Sequence, residues 1–405
     1  TTSKFNPQTE REFETITAMG NGYAGARNSI EENISRISTP TTFIAGFYEK
    51  TGDNNQQLVK NPDWTRIKVF VDDNELNLFT TASIVHRRYL NLRNGINVRE
   101  WQNVDQYGRI TSIKICKFVS VVDKNIAFKS ITIYPENYSG KIEVISGIDG
   151  TVTDKKSDLL RILDKDDAIA LETRSESDDN YSIIAQKSYF SHIVGNEVQV
   201  CKDSNRINYS RVKGDKEIYE KWQWQANINQ VYNITSLVSI CSSNDEYYPE
   251  KFCFSSLESK DVKDIFYIAN RHGDEWEKIW EHSEVKITGD DKAQKWINFA
   301  IYHLIISGKF SGNKYSIPAR TLTGEAYKGH IFWDTEIYLL PFFMFTYPNI
   351  AKALLMYRYN TLDGARKEAR KQDFKGACYA WESTDTGIER APEHVLLPTG
   401  EVVKI

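Results

Sequence analysis

Two short stretches in the last fifth of the chain place a tryptophan directly before an acidic residue, namely Trp333-Asp334 and Trp381-Glu382. A flat aromatic ring can stack on the apolar face of a sugar ring, and a carboxylate accepts hydrogen bonds from sugar hydroxyl groups. The first pair follows the glycine-bounded loop 324–329, and the second lies within the loop 376–387. Each pair could therefore form one wall of a pocket for a small polar ring.

The first pair also has a simpler interpretation. The pattern predicts a helix over 333–345, interrupted or kinked by Pro341. Carboxylates in a first helical turn, such as Asp334 and Glu336, stabilise the helix dipole whether or not they bind a ligand. Core packing is likewise the ordinary role of a tryptophan. The recurrence of the same pair in a second loop favours a binding site, because loops that join successive helices meet at one end of an α/α barrel.

The elements before residue 256 are short and follow a two-residue period. The segments 67–72 and 141–145 have the length and apolar content of strands. The clearest hairpin spans 89–99, where Asn94-Gly95 predicts a tight turn with positive φ angles between two alternating arms. A succession of such strands predicts an N-terminal antiparallel β-sandwich over residues 1–255.

After residue 256 the apolar residues recur at helical spacing. The segment 261–280 predicts one or two charged helices, and 349–370 predicts a further helix. An apolar stripe predicts another helix, formed by Trp296, Phe299, Ala300, His303 and Leu304. We therefore expect a helical linker over residues 256–288 and a helical domain over residues 289–405.

The composition argues against several classes of partner. With 51 Lys and Arg against 55 Asp and Glu, the net charge of −4 provides no attraction to nucleic acid or to an anionic membrane. No apolar run reaches the roughly 18 residues of a membrane span, and the N-terminal residues lack the apolar core of a signal peptide. We therefore expect a soluble protein, and the scattered cysteines indicate a reducing cytoplasm.

The usual residues of metal and nucleophilic sites are also scattered. The five cysteines form no CxxC pair, which argues against a zinc site or a disulfide framework, and the seven histidines form no HExxH motif. No GxSxG motif occurs. Residues 20–25, Gly-Asn-Gly-Tyr-Ala-Gly, match the GxGxxG pattern, but no acidic residue occurs in 39–46, about 20 positions later, and no βαβ unit surrounds them. We interpret these glycines as tight turns between strands, and we expect neither a metal nor a cofactor.

Taken together, these motifs resemble glycoside hydrolase family 65, which contains the maltose, trehalose, kojibiose and nigerose phosphorylases. The resemblance covers nearly the whole chain. It is carried by 20–27 (Gly-Asn-Gly-Tyr-Ala-Gly-Ala-Arg), 327–336 (Tyr-Lys-Gly-His-Ile-Phe-Trp-Asp-Thr-Glu), 341–343 (Pro-Phe-Phe), 355–359 (Leu-Met-Tyr-Arg-Tyr) and 376–383, which ends in Trp-Glu-Ser.

The resemblance implies a fold, a reaction and roles for the residues. It implies a β-sandwich, a helical linker and an (α/α)6 barrel, and a homodimer. The reaction would be the inverting phosphorolysis of an α-linked glucose disaccharide by inorganic phosphate, which gives β-glucose 1-phosphate. By resemblance, Trp333 and Asp334 line the glucose pocket, and Trp381 and Glu382 lie towards the acceptor sugar. Three residues would support the site: Arg320, Tyr327 and His330.

The chain departs from the family pattern at its end. A barrel of six helical hairpins needs about twelve helices, but the roughly 115 residues after Gly289 provide for about four. We therefore expect the first part of a barrel only, with the general-acid Glu and the phosphate site beyond Ile405. Two alternatives remain open: an α-glucoside hydrolase on the same scaffold, and a non-catalytic carbohydrate-binding fragment. The sequence does not indicate which linkage is recognised.

Overall fold

The architecture of the chain is that of a computed structural model. The structure describes residues 5–32, 37–51, 55–165, 167–177, 179–194, 197–200, 207–258, 260–391, 394–396 and 402–404.

Strands dominate the first 242 residues and helices follow. The strands are β1 (Met19–Gly20), β2 (Ala24–Ala26), β3 (Thr42–Ile44), β4 (Tyr48–Thr51), β5 (Asn55–Leu58), β6 (Ile67–Val71), β7 (Asn74–Leu76), β8 (Ala82–Asn91), β9 (Ile96–Val104), β10 (Ile110–Val119), β11 (Ile126–Pro135), β12 (Gly140–Asp149), β13 (Leu160–Lys165), β14 (Ala168–Arg174), β15 (Tyr181–Val194), β16 (Glu197–Val200), β17 (Ile207–Lys213), β18 (Glu217–Ala226), β19 (Tyr232–Ser242), β20 (Ile331–Phe332), β21 (Glu382–Ser383), β22 (His394–Leu396) and β23 (Val402–Lys404). The α-helices are α1 (Glu10–Ile16), α2 (Pro249–Glu258), α3 (Val262–Ser283), α4 (Asp291–Gly308), α5 (Leu340–Thr346), α6 (Pro348–Asn360) and α7 (Leu362–Lys371).

Two antiparallel sheets form the sandwich. The large sheet has the order β13-β14-β15-β19-β11-β10-β9-β8, with β16 beside β15, and the small sheet has the order β17-β18-β12-β6-β7. Residues of β6 alternate between buried and partly exposed, as expected of a strand with one face on a core. The facing side chains include Ile113, Ile115, Ile131 and Ile133 of the large sheet and Val69, Ile142 and Val144 of the small sheet. The predicted antiparallel sandwich followed by helices is confirmed.

Lys129 of β11 lies fully inside this sandwich. Its ammonium donates to the main-chain oxygens of Trp64 (2.6 Å), Arg66 (3.2 Å) and Gly147 (3.2 Å). Three donors thus have three acceptors, which is what a buried ammonium requires. Burial nevertheless lowers the pKa of Lys129 to about 7. The lysine links the large sheet to β12 of the small one.

Helices α2 and α3 cover the outer face of the large sheet. Phe118 and Phe128 of the sheet pack in one apolar cluster with Leu257 of α2 and Ile265 of α3. Helix α3 begins with a capping box, in which the side chain of Asp261 accepts from the main chain of Asp264 and the Asp264 side chain accepts in return. The helical region begins at Pro249, a few residues before the position where the sequence period changes.

Cys241 of β19 and Cys253 of α2 form a disulfide between the sheet and this covering helix, and their Cα atoms are 6.7 Å apart. Both residues are fully buried. The cysteine spacing argued against a disulfide framework, and this single pair has no short spacing that would reveal it, because the pairing depends on the way α2 folds back onto β19.

Three local predictions differ from the structure in detail. The turn between β8 and β9 contains four residues, since Asn91 pairs with Ile96, and of Asn94 and Gly95 only Gly95 has a left-handed φ, 65°. The helix predicted from Trp333 begins two residues later, as a π-helical turn over Thr335–Leu339 that continues into α5. The helix predicted over 349–370 is divided into α6 and α7 at Thr361.

The glycine motif at 20–25 forms the predicted turn between strands, here β1 and β2. Gly22 takes a φ of 83°, and the Asn21 side chain accepts from the main chain of Tyr23 (3.0 Å) and Ala24 (2.9 Å). A Cβ on Gly25 would lie 2.4 Å from the Leu322 main-chain oxygen. These glycines therefore allow close contact with the helical part of the chain.

No helix in the described ranges is long and apolar enough to cross a membrane.

Candidate functional site

A two-stranded ribbon brings the two tryptophan-acid pairs together. Strands β20 and β21 pair antiparallel, with Ile331 opposite Ser383 and Phe332 opposite Glu382. Since Trp333 follows β20 and Trp381 precedes β21, this register places the two tryptophans side by side. Their ring centroids are 5.4 Å apart at an interplanar angle of 76°.

The two indoles form an aromatic corner that remains open to solvent. Trp333 is 41% exposed and Trp381 is 47% exposed. The rings of Phe332 and Trp381 pack edge to face, with their centroids 5.8 Å apart. The Trp333 indole nitrogen donates to the Ala380 main-chain oxygen at 2.7 Å, which fixes the ring. An oriented, half-exposed aromatic pair is suited to stacking on an apolar ring face.

Glu382 lies beside this corner and pairs with a buried histidine. The His330 Nδ1 atom is 2.7 Å from Glu382 Oε1, with the histidine side chain 1% exposed and the glutamate side chain 13% exposed. The His330 Nε2 atom contacts the main-chain oxygen of Gln56. A carbonyl oxygen can only accept, so Nε2 is the donor in this contact. The contacts on both ring nitrogens therefore fix the orientation of the ring.

The two other carboxylates of the first motif have different surroundings. Glu336 forms an ion pair with Arg358 of α6 at 2.7 Å, and the same guanidinium donates to the Phe332 main-chain oxygen at 3.2 Å. Asp334 is exposed, makes no capping hydrogen bond to the helical turn that follows, and has no hydrogen-bond partner among the residues that the structure describes. Asp334 is thus the acidic side chain of the motif that is free to accept from a ligand.

Tyr327 and Arg320 lie at the rim. The rings of Tyr327 and Phe332 pack edge to face, with their centroids 5.5 Å apart. The Arg320 guanidinium lies 5.9 Å from the centroid of the Tyr327 ring. Tyr327 has a left-handed φ of 59° in the turn Ala326–Gly329. The structure therefore connects six of the seven predicted site residues by direct contacts or through Phe332, and the seventh, Asp334, follows Trp333 in the chain.

Helix α6 packs against the ribbon through residues for which the sequence predicted no role. The fully buried Tyr357 hydroxyl contacts the Ser383 hydroxyl at 2.9 Å and donates to the Thr384 main-chain oxygen. Burial raises the pKa of Tyr357 to about 12, so this hydroxyl stays protonated as a donor. Tyr357 and Arg358 lie in the 355–359 motif, which is the one signal that could have identified them.

Glu389 closes the second loop around its own backbone. Its carboxylate accepts from the main-chain nitrogens of Trp381 (2.8 Å), Glu382 (3.1 Å), Arg390 (3.1 Å) and Ala391 (3.0 Å). A carboxylate that receives several amide hydrogens is strongly held and fixes the loop that supplies them. Nothing in the sequence distinguishes Glu389 from the other acidic residues.

The sandwich also contributes to the site through the hairpin β4–β5. Gln56 contacts His330 as described, and the Tyr48 hydroxyl donates to the Gly329 main-chain oxygen at 2.7 Å. These contacts join residues that are more than 270 positions apart, and sequence reasoning missed both. In the part of the chain that is described, no group of three or more His, Cys, Asp or Glu residues is arranged to hold a metal ion.

Two family profiles together match most of the chain. Residues 1–279 match the profile of the glycosyl hydrolase family 65 N-terminal domain, and residues 298–403 match that of the family 65 central catalytic domain. A kojibiose phosphorylase of Halothermothrix orenii is 32% identical over 416 residues, covering 100% of this chain and 52% of that protein. An α,α-trehalose phosphorylase of Thermoanaerobacter brockii is 33% identical over 410 residues, covering 95% and 52% respectively.

A solved structure of a candidate kojibiose phosphorylase from the human microbiome superposes with a TM-score of 0.82 at 22% identity, covering 96% of this chain and 52% of that one. The likeness shows a shared fold. The chain spans about half the length of the curated relatives that it matches. From the two domain matches, the chain belongs to glycosyl hydrolase family 65.

Proposed function

We propose that this chain forms the sugar-binding part of an inverting α-glucoside phosphorylase. The observation that carries the proposal is the open aromatic corner of Trp333 and Trp381, with the exposed Asp334 and the oriented Glu382 at its sides. The relatives named as disaccharide phosphorylases support the reaction class. The substrates would be an α-linked glucose disaccharide and inorganic phosphate, and no further cofactor is required.

We assign the residues to two sugar positions. Trp333 would stack on the transferred glucose while Asp334 accepts from its hydroxyl groups. Trp381 and Glu382 would contact the acceptor sugar, with His330 orienting the carboxylate. Two further side chains would form the rim: Arg320 and Tyr327.

The proposal assigns no general acid to these 405 residues. Glu336 is held by Arg358, Glu382 by His330 and Glu389 by four amides, and Asp334 is assigned to hydroxyl recognition. In the reaction, an acid from another part of the protein would protonate the glycosidic oxygen while phosphate attacks the anomeric carbon from the opposite face. Because phosphate is already an anionic nucleophile, no second carboxylate is needed to deprotonate it.

The proposal extends to the arrangement of the chain. It divides the chain into a sandwich over residues 1–255, a helical linker over 256–288 and the first part of an (α/α)6 barrel over 289–405. We further propose that the protein is a homodimer and that it is located in the cytoplasm.

Calorimetric titration of the 405-residue chain with kojibiose, trehalose and maltose tests sugar binding. We expect one of them to bind, and we expect Trp381→Ala to weaken its affinity about 10-fold, since covering roughly 60 Å² of ring contributes about 1.5 kcal/mol. Trp296→Ala is the matched control, because Trp296 of α4 is 61% exposed but lies outside the site. Equal affinities of the Trp381 variant and the unaltered chain would refute the assignment.

The reaction class has its own test. The protein to assay is one that contains this chain and has the full length of its relatives. Its release of glucose 1-phosphate should depend on added phosphate. Release of free glucose without phosphate would identify a hydrolase, and sugar binding without turnover under either condition would identify a carbohydrate-binding protein.

A further inference from the structure

Gln56 is a polar residue buried in an otherwise ordinary edge hairpin. It lies on β5, where buried and partly exposed residues alternate, and only 5% of it is exposed. The next residue, Gln57, points the other way and is partly exposed, with its amide donating to Glu49 at 3.3 Å. A buried amide requires hydrogen-bond partners, so the contacts of Gln56 indicate its role.

The hydrogen bonds from Gln56 to the described residues of the helical part go to His330 and to two residues in the segment 384–390. Its main-chain oxygen accepts from His330 Nε2. Its side-chain Oε1 accepts from the Thr384 hydroxyl and from the Arg390 guanidinium, the latter at 2.8 Å. One residue of the sandwich therefore holds three residues of the helical part.

These three residues surround Glu382. His330 contacts the Glu382 carboxylate at 2.7 Å, Thr384 lies two residues after Glu382, and the Arg390 main-chain nitrogen donates to the Glu382 main-chain oxygen at 2.8 Å. The carboxylate and the backbone of Glu382 are thus both fixed through groups that end on Gln56.

The hairpin that carries Gln56 is itself held in place at several points. The Tyr48 hydroxyl donates to the Gly329 oxygen, and Lys60, which follows β5, pairs with Glu325 at 2.7 Å. Gly329 has a φ of 73°, and a Cβ there would lie 2.6 Å from the Leu58 side chain. The hairpin is therefore in close contact with the loop 324–329. The position of Gln56 relative to the ribbon is therefore well determined.

We infer that Gln56 is a positioning residue that sets the orientation of Glu382 towards the acceptor sugar, so that the sandwich contributes to acceptor recognition. The inference rests on the proposed function, and it concerns the acceptor position alone. Among the described residues, Gln56 makes its hydrogen bonds to the helical part through His330, Thr384 and Arg390 and not through Trp333 or Asp334, which are assigned to glucose, so binding of free glucose should not depend on it.

The test compares three variants of the full chain. Gln56→Met keeps the volume but removes both acceptor interactions of Oε1, Gln56→Glu keeps them, and Gln57→Met is the matched control on the opposite face of the same strand. Calorimetry with glucose and with the disaccharide that the unaltered chain binds gives both affinities. We expect Gln56→Met to lower the disaccharide affinity about 10-fold, because one of the lost bonds involves a charged donor. Glucose affinity should stay within about twofold, and Gln56→Glu should restore disaccharide affinity to within about threefold.

The possible results separate the two proposals. If the unaltered chain binds no α-glucoside, the proposed function fails and this inference fails with it. If the unaltered chain binds and Gln56→Met binds the disaccharide equally well, the inference alone is wrong. Equal losses for glucose and disaccharide indicate a purely structural residue and also overturn it, as does an equal loss in Gln57→Met. A selective loss that Gln56→Glu restores supports the positioning role.

Discussion

The buried contact between His330 and Glu382 makes a quantitative prediction about the ribbon β20–β21. Removing one partner of a buried ion pair costs roughly 3–5 kcal/mol when the other charge stays buried. Here the Glu382 side chain is 13% exposed, so the contact is only partly shielded from water, and we expect Glu382→Ala to destabilise the ribbon by a smaller amount, about 2 kcal/mol. Glu382→Gln should cost less, about 0.7 kcal/mol, because the amide has the same size and can still hydrogen-bond to the imidazole.

Amide hydrogen exchange of peptides that span 328–334 and 380–386 measures this local stability. A loss of about 2 kcal/mol corresponds to roughly 30-fold faster exchange, and about 0.7 kcal/mol to roughly threefold. The variant Asp385→Ala, which changes an exposed carboxylate in the same loop, is the matched control and should exchange as the unaltered chain does.

A double-mutant cycle attributes the effect to the pair itself. If the contact stabilises the ribbon, Glu382→Ala should have little further effect in a His330→Phe background, with a coupling energy of at least about 1 kcal/mol. Additive effects of the two substitutions, or equal acceleration in Asp385→Ala, would refute the reasoning.

Two further predictions concern buried groups. Burial lowers the pKa of Lys129 to about 7 in the folded chain, whereas the pKa of an unfolded lysine is about 10.4. Between these two pH values the unfolded chain binds more protons than the folded chain. The free energy of unfolding should therefore rise with pH from about 7 to 10, by at most about 1.4 kcal/mol per pH unit. Urea titrations at three pH values should show a smaller rise in Lys129→Met than in the exposed-site control Lys114→Met, and equal slopes would contradict the assignment. Tyr357→Phe leaves the Thr384 carbonyl without its donor and should lower the free energy of unfolding, measured by thermal unfolding, by about 1–2 kcal/mol. The control Tyr359→Phe changes an exposed ring and should lower it by less than about 0.5 kcal/mol. Equal losses would exclude this hydrogen bond as the cause.

The residues that the sequence singled out lie together in the structure, but the elements that carry them differ from those predicted. The pairs Trp333-Asp334 and Trp381-Glu382 were identified by residue type alone, and both occur in one corner. The helix that was expected to begin at Trp333 begins at Thr335, because Ile331 and Phe332 pair as a strand with 382–383. A two-residue strand pair is set by tertiary contacts and has no period that a sequence pattern could reveal.

A similar difference applies to the turns. The Asn94-Gly95 pair correctly located a hairpin, but the turn has four residues, with Gly95 against the Trp276 ring. A Cβ on Gly95 would lie 2.4 Å from the Trp276 indole nitrogen. The glycine is therefore required by contact with α3 as well as by its φ, and this contact connects residues that the sequence separates by 181 positions. Turn residues predict where a chain reverses, whereas loop length depends on what packs against it.

Residues that orient other residues are the hardest to find in a single sequence. Gln56 and Glu389 have no neighbouring motif, and their importance arises from acceptor atoms that meet donors from distant parts of the chain. A ligand-contacting residue must have a particular chemistry, such as an indole ring or a carboxylate, and that chemistry is visible in the sequence. A supporting residue needs only to place an acceptor at the right point, which many residue types and the main chain itself can do, as the Gln56 carbonyl does for His330. The chemistry of this site is therefore readable from sequence, but the orientation of its groups depends on the contact between the sandwich and the helical part.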